Sequence, residues 1–147
     1  MLSQVRKLGT AASKPTLGAL THFVYDAKGK ATLSTWDKFP LCLPTDPYGD
    51  GFLGLNLHYV PQATRKLILD QLTKNANFYN TQPRMRMMAN YGFLKTASLF
   101  PDVKPCIKRY LYQYVKSPYI DIDHKHFDKI VMMPTQRWTN GPPEQTE

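Results

Sequence analysis

The chain is predicted to fold as an α+β domain, with N-terminal antiparallel strands in a small sheet or partial barrel followed by about three helices. Three observations carry that prediction. Apolar residues alternate with period two before Pro61, the period lengthens to that of a helix after it, and no internal repeat interrupts this order. With 147 residues, 42% of them hydrophobic and 12% aromatic, the chain has the apolar material for one domain's core and is not disordered as a whole. No stretch approaches the roughly 18 apolar residues of a membrane span.

The elements follow in order. His22 to Tyr25 reads as a strand, and Asp26-Ala27-Lys28-Gly29-Lys30 as a turn in which Lys28-Gly29 can take positive φ. Phe39 to Leu43 is the next strand. The turn-rich run Thr45 to Gly51 leads into Phe52 to Tyr59, where Leu53, Leu55, Leu57 and Tyr59 alternate on one face. A helix is predicted from Pro61 to Lys74, buried through Leu67, Ile68 and Leu72, and a second from Pro83 to Leu99, with Met87 or Met88, Tyr91, Leu94 and Ala97 inward. A third is predicted over Ile107 to Lys116, because Ile107, Tyr110, Leu111, Tyr114 and Val115 fall at helical spacing. Its opposite face would carry Lys108, Arg109, Tyr112 and Lys116, and Pro118 would end it. Tyr119 to Ile122 reads as a short strand, and Asp123 as the N-cap of a helical turn through Phe127.

The ends differ from the body. Residues 1–20 carry Arg6, Lys7 and Lys14 with no acid and no apolar run long enough for a secretory signal. Transit peptides share that composition with flexible basic arms that order on a partner; the expectation taken forward is an arm at 1–20, one domain at 21–138 and a tail at 139–147. Cys42 and Cys106 lack zinc-site spacing and read as buried thiols, with a disulfide between them left open.

The net charge of +8 is unevenly spread. Residues 74–116 hold Lys74, Arg84, Arg86, Lys95, Lys104, Lys108, Arg109 and Lys116 against Asp102 alone, whereas residues 117–147 are slightly acidic. Phosphate binding needs several cations on one surface, and an aromatic such as Tyr112 between Lys108 and Lys116 can stack on a base. Arg84, Arg86, Lys95, Lys104, Lys108, Arg109, Tyr112 and Lys116 are therefore the candidate binding surface, for nucleic acid or for an acidic protein partner, with Arg6, Lys7 and Lys14 as a partner-binding arm.

Other constellations are weaker. Asn56 and His58 share a strand face and could pair a base with its orienter, but a hydrogen-bonded structural histidine is the commoner outcome. Asp121, Asp123, His124 and His126 are of the right types for a metal, yet Asp123 also suits a helix start and Lys125 sets a positive charge among them; no metal or cofactor is expected. Asp46 to Gly51 lacks the alternate oxygens of a calcium loop. The sequence has no phosphate-cradling loop, no nucleophile elbow and no paired-cysteine motif, so nothing in it supports enzyme activity.

Four runs are more particular than composition: Phe23 to Lys28, Trp36 to Leu41, Asp50-Gly51-Phe52-Leu53-Gly54-Leu55-Asn56-Leu57-His58-Tyr59, and Lys104-Pro105-Cys106-Ile107-Lys108-Arg109-Tyr110-Leu111. With them the chain resembles, from about Thr16 to Trp138, a family of small virion-associated proteins of large contractile-tailed bacteriophages, some labelled DNA end protectors. The resemblance implies no catalytic residue. It implies a non-enzymatic virion component of the tail, neck or baseplate region, acting through contacts with other virion proteins in a symmetric assembly, in the virion and in the host cytoplasm during assembly. The alternative it carries is a protein that binds the end of double-stranded DNA and protects the packaged terminus from exonuclease.

Overall fold

The computed structural model describes residues 9–26 and 37–135, and within them the turn-rich run after Pro47 joins the two longest strands, β3 (Leu41–Pro47) and β4 (Gly51–Asn56). Tyr48 N–H closes that turn on Gly51 O at 2.7 Å. The register shifts between Pro44 and Asp46, where Pro44 has no N–H to give the ladder. Four further strands, β1 (Gly9–Ala12), β2 (Thr21–His22), β5 (Ile107–Leu111) and β6 (Tyr119–Ile122), complete an antiparallel sheet ordered β1-β6-β2-β3-β4-β5. With the helices α1 (Gln62–Phe78), α2 (Pro83–Ala97) and α3 (Phe127–Val131), the class is α+β, as the sequence predicts.

The sheet closes partly on itself. Past His22 the chain runs between two neighbours: Phe23 and Tyr25 N–H donate to Pro40 and Lys38 O, while Asp26 N–H donates to Tyr114 O and Lys116 N–H to Val24 O. Tyr25 bridges Val115. The enclosed face holds Phe23, Tyr25, Cys42, Phe52, Tyr110 and Tyr119. Phe23 meets Tyr25, Phe52, Tyr110 and Tyr119 edge-on at centroid distances of 6.2, 5.9, 5.4 and 5.3 Å, the arrangement ring quadrupoles favour. The other face packs Leu41, Leu43, Leu55 and Ile122 under Ile68, Leu69 and Leu72 of α1, Leu94 of α2, and Phe127 and Ile130 of α3.

Several elements depart from expectation. Ile107 to Lys116 is not a helix: it forms β5 and then a single 3₁₀ turn, Tyr112–Tyr114. A short run with Ile and Tyr fits a pleated surface equally well, and β4 offers an edge on which Tyr110 packs opposite Phe52. The third helix is instead α3, which follows the turn His124–His126 capped by Asp123, whose carboxylate accepts from Lys125 N–H at 3.1 Å. Residues 9–12, assigned to the arm, pair with β6. In α1 the buried stripe is Arg65, Ile68, Leu69, Leu72 and Ala76, and Leu67 faces out. In α2, Leu94 and Ala97 are buried while Met87 and Met88 are exposed; the inward position is Asn90, which receives a hydrogen bond from Asn75 and donates one to Gly18 O. Arg6, Lys7, the Ala27–Lys30 part of the first turn and the tail lie outside the described residues.

Candidate nucleic-acid interface

β5 is an edge strand, and its alternation redistributes the charges that a helix would have gathered. Lys108 stands opposite Gly54 on the face of Tyr110, whereas Arg109 stands opposite Leu53 on the other face. Arg109 Nη2 lies 3.1 Å from Asp50 Oδ1, with the guanidinium carbon 5.1 Å from the Tyr48 ring centre. The close approach that seats β5 depends on Gly51: a Cβ there would overlap Tyr110 O and press on Leu111 Cα. Lys104 lies in the 3₁₀ turn just before β5 and Lys116 just after the turn that follows it, and both are exposed with no carboxylate in bonding range among the described residues.

The fold brings acids to the basic segment that its own sequence lacks. Lys95 Nζ is 3.0 Å from Asp46 Oδ2, and Tyr91 OH donates to Asp46 Oδ1 at 3.0 Å. Burial pushes the Asp46 carboxyl up, but the bonds from Lys95 and Tyr91 outweigh it and hold the pKa below the ordinary value. Lys95 is thus paired to the end of β3 and Arg109 to the β3–β4 turn. Arg84 and Arg86 sit toward the opposite end of α2 from Lys95, about 14–16 Å away by the rise of a helix. Lys104, Lys108, Arg109, Tyr112 and Lys116 lie on or beside β5, with Lys108 and Arg109 on opposite faces, while on α2 Lys95 is held at the end of β3, away from Arg84 and Arg86.

Lys14 joins the β5 group. After β1 the chain passes Tyr112, and Ser13, Lys14, Pro15, Tyr112, Val115, Ser117 and Tyr119 line an open cleft of about 580 Å³. Among the described residues no carboxylate lines it. A second cleft of about 470 Å³ holds Arg86, Lys125, His124 and His126, but also Asp121 and Asp123. Burial raises the Asp121 pKa, and Asp123 serves as a cap. Among the described residues no three His, Cys, Asp or Glu side chains converge as a metal ion requires.

Asn56 and His58 belong to a buried polar centre, not to an open site. Asp37 Oδ2 accepts from Asn56 Nδ2 at 2.8 Å and lies 2.9 Å from His58 Nδ1, and Asn56 Nδ2 also reaches Tyr110 OH at 3.3 Å. Burial pushes Asp37 up, but the bond and charge of His58, with Asn56 and Phe39 N–H, hold it below the ordinary carboxylate range. Cys42, also buried, has its thiol pushed well up. With all of them closed to solvent, this group can organise the core but cannot meet a substrate. Cys106 is likewise a buried free thiol.

Arg65 is the residue whose role the sequence reading missed. Its guanidinium, 1% exposed, donates to Ile130, Met133 and Val60 O and to Thr135 Oγ1, at 3.1, 2.6, 2.9 and 3.2 Å. Desolvation lowers its pKa to about 10. The available signal was its position three residues before Ile68 on an apolar stripe.

A family described as Phage T4 terminal DNA protecting protein matches residues 2–142 of the chain. Neither the curated proteins nor the solved structures contain a match.

Proposed function

The chain belongs to the Phage T4 terminal DNA protecting protein family, and from that premise we propose that it is a non-enzymatic phage virion protein that covers the end of packaged duplex DNA and denies it to exonuclease. The family match over residues 2–142 carries this reading and supports DNA-end binding over the assembly role expected first from sequence.

The physical support comes from the β5 edge. Lys104, Lys116 and Lys14 are exposed cations without a carboxylate partner among the described residues, beside Lys108, Arg109 and the exposed Tyr112. Each phosphate that such a group neutralises releases condensed counterions, which drives binding at low salt and weakens it as salt rises. Arg6 and Lys7, a few residues before β1, would add to the same attraction. Protection then requires only occlusion: an exonuclease must load on an end the protein already holds. The test is digestion of linear duplex by a processive exonuclease with and without saturating protein. Full-length DNA should persist in the presence of protein; digestion at the same rate with and without it would defeat the proposal.

Contact with other virion proteins has its own support. Leu67 and Phe78 share one side of α1 by helical spacing and are 70 and 79% exposed. Cosedimentation of the chain with phage particles, lost on Leu67→Ser with Phe78→Ser, would support docking there; unaffected cosedimentation would exclude that face.

A further inference from the structure

We propose that the cleft lined by Lys14 and Tyr112 is the element that tells an end from the middle of a duplex, by stacking the terminal base pair on the Tyr112 ring. This rests on the DNA-end reading above and adds what that reading lacks, since a basic edge grips interior and terminal phosphates alike. Only a terminus exposes the flat face of a base pair, and every base offers such a face to an aromatic ring.

The geometry suits that occupant. Tyr112 is 40% exposed, while the neighbouring Tyr119 is 5% exposed and forms the floor. The Tyr112 ring neighbours Phe52, with centroids 6.0 Å apart and planes tilted by 35°, and its backbone is fixed by Tyr112 N–H to Asp50 O at 3.0 Å and Val115 N–H to Tyr112 O at 3.1 Å. Phe52 thus limits the ring on one side and leaves the rest open to the cleft. Charge complements the terminal phosphate: Lys14 lines the cleft, and among the described residues no acid lines it. The second cleft mixes Asp121 and Asp123 with its cations and offers no aromatic of comparable exposure.

The test compares one duplex with two open blunt ends and the same duplex with both ends closed by hairpin loops, titrated with the native chain, Tyr112→Ala and Tyr112→Phe. The native chain and Tyr112→Phe should prefer open ends by about tenfold, the factor one stacked base supplies, and Tyr112→Ala should lose that preference and bind both duplexes equally. Should Tyr112→Ala keep the full preference, the cleft is not the end reader, although the DNA-end reading stands. If the native chain itself binds neither duplex or shows no preference, that reading fails and the cleft's role with it. A 2-aminopurine placed at the terminal or the central position gives a readout that needs no variant: its fluorescence should change on binding of the native chain only at the terminus, and a change only at the centre would overturn the proposal.

Discussion

The Lys95 ammonium lies 3.0 Å from Asp46 Oδ2, so α2 spends one of its cations on the bulged end of β3. Lys116, by contrast, has no carboxylate partner among the described residues; its ammonium reaches only Gln113 O, at 3.3 Å. If DNA lies along the β5 edge, Lys116→Ala should lower the slope of log affinity against log salt by about 1, and Lys95→Ala should leave it unchanged. Binding isotherms at four or five salt concentrations decide the matter. Equal slopes for the two variants would remove the β5 edge from the account.

Arg65 ties α1 to the C-terminal end of α3 through Ile130 and Met133 O, which also accept from Met133 N–H at 3.2 Å and Gln62 Nε2 at 3.0 Å. A cation placed there also opposes the negative end of the helix. Arg65→Met should cost about 2–4 kcal/mol in urea unfolding, because it removes the charged donor these buried acceptors share, with little change in m-value. A loss below about 0.5 kcal/mol would mean that water or a neighbouring donor replaces the guanidinium.

The buried Asp37–His58 pair sets an acid limit on stability. Asp37 has its folded pKa held below the unfolded value, so the unfolded chain takes up the proton first. Its contribution is present above the ordinary carboxylate pKa of about 4 and is lost as pH falls from there through the depressed folded value. Asp37→Asn should lower stability at pH 7 and flatten this acid limb. An acid limb in the variant as steep as in the native chain would assign it to other carboxylates.

Gly51 holds β5 against β4, and Gly51→Ala should separate them locally. Hydrogen exchange should rise for the Tyr110 and Tyr112 amides while the α1 amides stay protected, and affinity for DNA should fall with it. Unchanged exchange in β5 would show that the strand tolerates the added methyl.

What was legible in the sequence depended on how local its cause was. The α1 and α2 starts follow from Pro61 and Pro83, and the Asp123 cap from a side chain that bonds two residues on. The strand at Ile107–Leu111 could not be told from a helix, because what decides it is the edge of β4 about fifty residues earlier. That one reassignment also split Lys108 from Arg109. Counting charges by segment missed Asp46 and Asp50 for the same reason: they reach Lys95 and Arg109 only after the β3–β4 turn folds beside them. Lys14 and Tyr112 are nearly a hundred residues apart and meet through the β1–β6 pairing, so the cleft they share left no trace in either segment alone.

If this chain holds DNA ends, competition between blunt linear duplex and a covalently closed circle of the same sequence will reveal it at physiological salt. The linear form should displace the circle with at least about tenfold advantage, and the advantage should scale with the number of ends and not with length. Equal competition by the circle, base pair for base pair, would contradict it.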